Sequence, residues 1–150
     1  MIHNKLIELK KKINQNVTIV AVSKTKPIED ILTHFNNGQL DFGENKVQEL
    51  MLKHESLPKE IKWHMIGHLQ RNKVKHIISF VHLIHSVDSI RILEKINEEA
   101  KKINRKINVL LQLKISENNL KYGFSYNELK NLLNNDFLKN YEFINVIGLM

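Results

Sequence analysis

The residue best placed for covalent chemistry is Lys24, in the stretch Val22-Ser23-Lys24-Thr25-Lys26-Pro27. It directly follows an apolar, β-branched run, and the two-residue alternation of a strand puts it on the face of Val20 and Val22. A lysine there is costly to desolvate unless it is paired or chemically used. Desolvation and a second ammonium nearby, here Lys26, both favour a neutral amine, which is what an aldehyde needs to form a Schiff base. The structural alternative is an ion pair with a carboxylate such as Glu44 or Asp88. Chemistry alone leaves both open.

Other polar residues cluster where apolar runs end. Asn45, in Phe42-Gly43-Glu44-Asn45, is a ligand donor or the cap of the helix that follows, and capping is the commoner outcome. His64 and His68 are four apart but straddle a strand and a loop around Gly67, and HExxH is absent, so no metal site is expected. His82 and His85 bracket a short strand and read as core or surface. Asn72-Lys73 opens a helix whose N–H groups could favour an anion, although a solvated face is the plainer reading. The five glycines form neither GxGxxG nor a Walker loop, and Gly-x-Ser-x-Gly is missing.

The elements that must position these residues alternate regularly. Ile2, Leu6, Leu9 and Ile13 make one helical stripe, and residues 17–22 (VTIVAV) suit a strand covered on both faces. A helix from Pro27 to about Phe35 ends at Asn37-Gly38. Strands follow at 40–42, 62–66, 82–85, around 109–111, and at 143–150. Between them run helices at 44–54, at Val74 to Val81, at 89–103 with Ile90, Leu93, Ile96, Ala100 and Ile103 on one face, and around Leu129, Leu132, Leu133 and Phe137. A helix, then strand–helix five times, then a strand implies right-handed βαβ units and a parallel sheet. A doubly wound sheet and a (β/α)₈ barrel both fit. The barrel typically needs ~250 residues, against 150 here. In either, function gathers at the C-terminal strand ends, where Lys24 and Asn45 lie.

Composition excludes several classes. The chain has no cysteine, which removes disulfides, Cys-ligated metal and thiol catalysis and makes the cytoplasm the expected compartment. No apolar run approaches the ~20 residues of a membrane span, and the start is not a secretory signal. The net charge of +7 comes from 20 lysines and only 3 arginines, with scattered lysines and 7% aromatics, so no specific nucleic-acid partner is expected.

Four segments, VTIVAVSKTKP (17–27), FGENKVQE (42–49), WHMIGHLQRNK (63–73) and SVD (86–88), resemble in the same order the pyridoxal-phosphate homeostasis family, itself similar to the N-terminal barrel domain of alanine racemase. The resemblance covers essentially the whole chain. It implies an α/β fold, a (β/α)8-type TIM barrel of pyridoxal-phosphate fold type III, with an extra N-terminal helix. It implies pyridoxal 5'-phosphate as cofactor, with Lys24 as the lysine that holds it as a Schiff base. Lys26 and Lys121 match lysines near the cofactor or its exit path, and Asn45, Ile66 and Gly67 match positions lining the pocket. Such proteins carry and buffer the cofactor without substrate turnover, with apo-enzymes that depend on it as partners. Residues 1–150 are then expected to be a single barrel domain with about six of eight strands, lacking the last two strand–helix units. Those units supply the phosphate-gripping segments in the family. Two alternatives stand beside this: a racemase-like enzyme using the same lysine, or a fragment with little cofactor binding.

Overall fold

The computed structural model describes residues 2–115, 122–134 and 137–150. After helix α1 (Ile2–Lys12) the order is β1 (Ala21–Val22), α2 (Ile28–Asn36), β2 (Asp41–Glu44), α3 (Val47–Ser56), β3 (Lys62–Met65), α4 (Val74–Ile77), β4 (Leu83–Val87), α5 (Ile90–Lys102), β5 (Ile107–Leu111), α6 (Tyr126–Asn134) and β6 (Ile144–Leu149). The six strands form one sheet in the order β1-β2-β3-β4-β5-β6, every pair parallel. This order decides between the two architectures. A doubly wound sheet reverses its strand order at a switch point. Here each strand lies beside the next in sequence, which under the right-handed crossover rule keeps the helices on one face, as in a barrel.

Register fixes which residues share a face. Phe42 pairs with Trp63, and Met65 with Ile84 and so with Val109. These side chains are buried in one core with Leu50, Ile77, Leu93, Ile96, Leu129 and Leu132 of the helices. The opposite, inner face carries Val22, Gly43, His64, Leu83, Asn108 and Asn145, linked by the same registers. Helix α5 shows why its sequence is helical. Ile92, Leu93, Ile96 and Ala100 are buried, while Lys95, Glu98 and Lys102 form ion pairs on the outside.

Several expectations need correction. The strand expected at 17–22 is paired only at Ala21–Val22, and Val17 and Val22 are more than half exposed. β1 is hydrogen-bonded to β2 alone, and the exposure of Val22 shows that the strand is not covered on both faces. The helix expected from Val74 to Val81 is one turn of α-helix preceded by a 3-10 turn at Arg71–Lys73. In α5 the buried stripe is rotated: Ile92 is inside, whereas Ile90 and Ile103 are exposed. The side chain of Phe137 lies outside the described residues.

Candidate functional site

Lys24 sits in the turn after β1, which ends at Val22, and is exposed. The desolvated position expected for it is not what the fold provides. Nor does it pair with Glu44 or Asp88: Glu44 binds Lys53, Asp88 binds His68, and among the described residues no ion pair involves Lys24. The turn itself is tightly held. Ser23 N–H donates to Gly43 O (3.0 Å), and Lys26 N–H to Ser23 O (3.0 Å). Thr25 has φ +62°, a costly conformation for a β-branched residue, and its N–H donates to Glu49 Oε1 at 2.6 Å.

Beneath the turn lies a buried polar pedestal. Lys53 Nζ donates to Ser23 O, Glu44 Oε1 and Glu49 Oε1, each at 2.7 Å, and the Ser23 hydroxyl donates to Glu44 Oε1 at 2.6 Å. The Lys53 and Glu44 side chains are 6% and 0% exposed. The Lys53 hydrogen bond, reinforced by the Thr25 N–H, holds the Glu49 carboxyl below its ordinary value. Three charges from β2 and α3 thus position the backbone of the Lys24 turn while leaving its amine free of an ion pair.

The next two strand ends meet by backbone contact. A Cβ on Gly67 would stand 2.2 Å from Asn45 O, so only glycine lets these two loops approach as they do. Ser86 Oγ donates to Gly67 O at 2.5 Å, and Ile66 N–H to Glu44 O at 3.0 Å. The Ile66 side chain covers Gly43, where a Cβ would meet Ile66 Cδ1 at 2.9 Å. Asn45 does not cap α3: Lys46 holds the cap position, and no side chain bonds there. Lys26 is exposed. Lys24, Asn45, Ile66 and Gly67 therefore gather at the C-terminal ends of three adjacent strands. Lys121 lies outside the described residues.

Two features escaped the sequence. A cavity of about 770 Å³ opens beside these loops, lined by His68, Asp88, Arg71, Arg91 and Tyr122 among others. Its wall is ordered by a His68–Asp88 bond of 3.0 Å and by stacking of His68 on Tyr122 at 3.8 Å. A smaller space of about 160 Å³ joins Asn45 to His68 and Lys73. The second feature is at the other end of the sheet. His64 Nε2 lies 2.9 Å from Asp41 Oδ1, and His64 Nδ1 lies 2.9 Å from His85 Nε2. With both rings neutral, His64 Nε2–H donates to Asp41 and His85 Nε2–H donates to His64. Burial pushes His64 and His82 below the usual imidazole range, and His85 to about 4.

Six consecutive parallel strands with a lysine at the end of the first define a parallel α/β barrel of the alanine racemase type. The chain belongs to the family described as the alanine racemase N-terminal domain, which it matches over residues 1–150. It is 38% identical over 138 residues to the pyridoxal phosphate homeostasis protein of Synechocystis, spanning 90% of this chain and 62% of that relative. The structure of PipY from Synechococcus elongatus with PLP bound superposes with a TM-score of 0.90 at 31% identity. It covers 100% of this chain, which spans 69% of PipY. Alanine racemase of Clostridium difficile shares the fold at 15% identity, with a TM-score of 0.77 over 97% of this chain and 38% of that enzyme. The chain thus spans less than two thirds of the length of the Synechocystis relative.

Proposed function

We propose that this chain binds pyridoxal 5'-phosphate through Lys24 and serves intracellular homeostasis of that cofactor without turning over a substrate of its own. The carrying observation is Lys24 itself: an exposed primary amine at the end of β1, outside every described ion pair, on a turn fixed from below by Ser23, Glu44, Lys53 and Glu49. The donor set suits an anionic aldehyde. Lys24 offers the amine, Lys26 a second positive charge, and Asn45 an amide beside the Gly67 contact. When bound, pyridoxal phosphate supplies an aldehyde carbon that condenses with a primary amine and releases water. The Ile66 side chain lies against Gly43, and the Asn45–Gly67 backbone contact fixes how closely the loops after β2 and β3 approach. Lys121 is assigned to the same surroundings through its family match alone.

The name of the Synechocystis relative and the PLP held by PipY support this reading. Residues 1–150 act in it as one barrel domain, and apo-enzymes that need the cofactor are its recipients. The cysteine-free composition fits a cytoplasmic protein, and among the described residues no helix is long and apolar enough to cross a membrane. The test is a titration with pyridoxal phosphate followed by visible absorbance, before and after borohydride reduction. Wild type should develop a lysine-linked chromophore that reduction fixes at Lys24, and Lys24→Ala should lose it. Equal absorbance in the two proteins overturns the assignment. Exchange of an amino acid's α-proton by the loaded wild type, lost in Lys24→Ala, would replace the non-catalytic reading with a racemase-like one.

A further inference from the structure

We propose that Asp41, His64 and His82 form a site for one divalent transition-metal ion of the zinc or cobalt class, at the end of the sheet opposite Lys24. The three come from the start of β2, the middle of β3 and the residue before β4, so no local motif announces them. Their ligand atoms all lie within 4.8 Å of one another. Neighbouring donors around a four-coordinate zinc stand ~3.3–3.5 Å apart, given bonds of about 2.0–2.2 Å. The observed donor atoms span that spacing, from 2.9 Å between Asp41 Oδ1 and His64 Nε2 to at most 4.8 Å across the set. His82 is exposed, so its ring can close the remaining distance and leave a fourth position open to water.

Two neutral imidazoles and one carboxylate suit zinc, cobalt or nickel better than magnesium or calcium, which favour oxygen ligands. The surroundings of His64 match a metal ligand in a further respect. A ligating histidine usually spends its other ring nitrogen on a hydrogen bond that fixes its orientation. His64 Nδ1 already lies 2.9 Å from His85 Nε2. With the ion on Nε2, the bond reverses and His64 Nδ1–H donates to His85. Buried His64 is thus the anchor, Asp41 the charge-neutralising arm and His82 the exposed third ligand. Lys62 and Arg105 add positive charge nearby and oppose a dication, which weakens the expected affinity. A purely structural Asp41–His64 bond would give His82 no part.

That difference supplies the test, which is independent of cofactor binding. Zinc chloride is titrated into the full chain by calorimetry, and cobalt chloride is followed by its visible d–d absorbance. Wild type should bind one ion per chain and unfold at a higher temperature with zinc than with EDTA. His82→Ala, at an exposed position, should keep the EDTA melting temperature and lose at least tenfold in zinc affinity. His85→Ala should lose about 10- to 100-fold through the orientation of His64. His76→Ala, an exposed histidine elsewhere on α4, is the control and should bind as wild type does. Unsaturable zinc binding in wild type, or equal affinity in wild type and His82→Ala, overturns the site.

Discussion

In the turn after β1 Lys24 is exposed and outside every described ion pair, whereas in the middle of β3 His64 is 3% exposed with both ring nitrogens engaged. His64 belongs to the inner face of the sheet, and Lys24 lies in the turn just beyond β1. The difference lies in where the hydrogen bonds go. Around Lys24 they hold the backbone of the turn, through Ser23, Thr25 and Lys26, and spare the side chain. Around His64 they hold the side chain itself. A group that must condense with a ligand needs a rigid base and a free tip, while a group that orders its neighbours needs the reverse.

The largest way to break this contrast is to remove the base. In Lys53→Met the buried Glu44 carboxylate loses its cation and the Ser23 carbonyl loses a donor. Breaking a buried pair from one side costs ~3–5 kcal/mol. The melting temperature should fall by at least about 6 °C, and the Lys24 chromophore should weaken even in the folded fraction. A variant as stable as wild type would show that the pedestal does not position the turn.

Gly67→Ala attacks the neighbouring strand ends. Its Cβ would overlap Asn45 O, and backbone on both sides leaves little room to relax. Overpacking of this kind costs ~1–3 kcal/mol. Urea unfolding should show that loss, together with weaker pyridoxal phosphate binding, and unchanged values on both counts would contradict the close approach of the two loops.

Acid should act mainly at the other end. His64, His82 and His85 have folded-state values below the ordinary 6.5, as does His54 stacked on Phe80. The unfolded chain therefore takes up protons first as pH falls. The stability these neutral rings contribute is complete above about pH 6.5 and declines towards pH 4, where His85 titrates in the fold. In EDTA buffer the melting temperature should drop by several degrees from pH 7 to pH 5, before most carboxylates respond. A flat profile would show that the histidines at this end are not held neutral by burial. Lys24→Ala should have the smallest effect on stability, within about 0.5 kcal/mol, because an exposed residue outside any ion pair is removed. A larger loss would mean that Lys24 also serves the fold.

Much of the chain was legible in one dimension. The β-branched and apolar runs set the alternation of strands and helices, because burial on one face repeats with a local period. The errors fell where burial depends on distant neighbours. Residues 17–20 have strand-like side chains yet no ladder, since the one strand beside β1 begins only at Asp41. The stripe of α5 was off by a rotation, because Ile90 and Ile92 are equally apolar and only packing distinguishes them. Lys53, a lysine on a polar-looking helix, gave no sign that it would be buried against Glu44. The histidines of β3 and β4 looked unconnected because their partners are one strand away in space and some twenty residues away along the chain.

The amino-acid sequence by itself determined a parallel α/β chain and a lysine at the end of its first strand. Local periodicity and strand alternation are enough for both. Only the tertiary structure decided that the strands follow one another in barrel order, that Glu44 and Asp88 are taken by other partners, and that Asp41, His64 and His82 converge. Each of these depends on which segments become neighbours, and that is settled by long-range packing of the whole sheet against its helices.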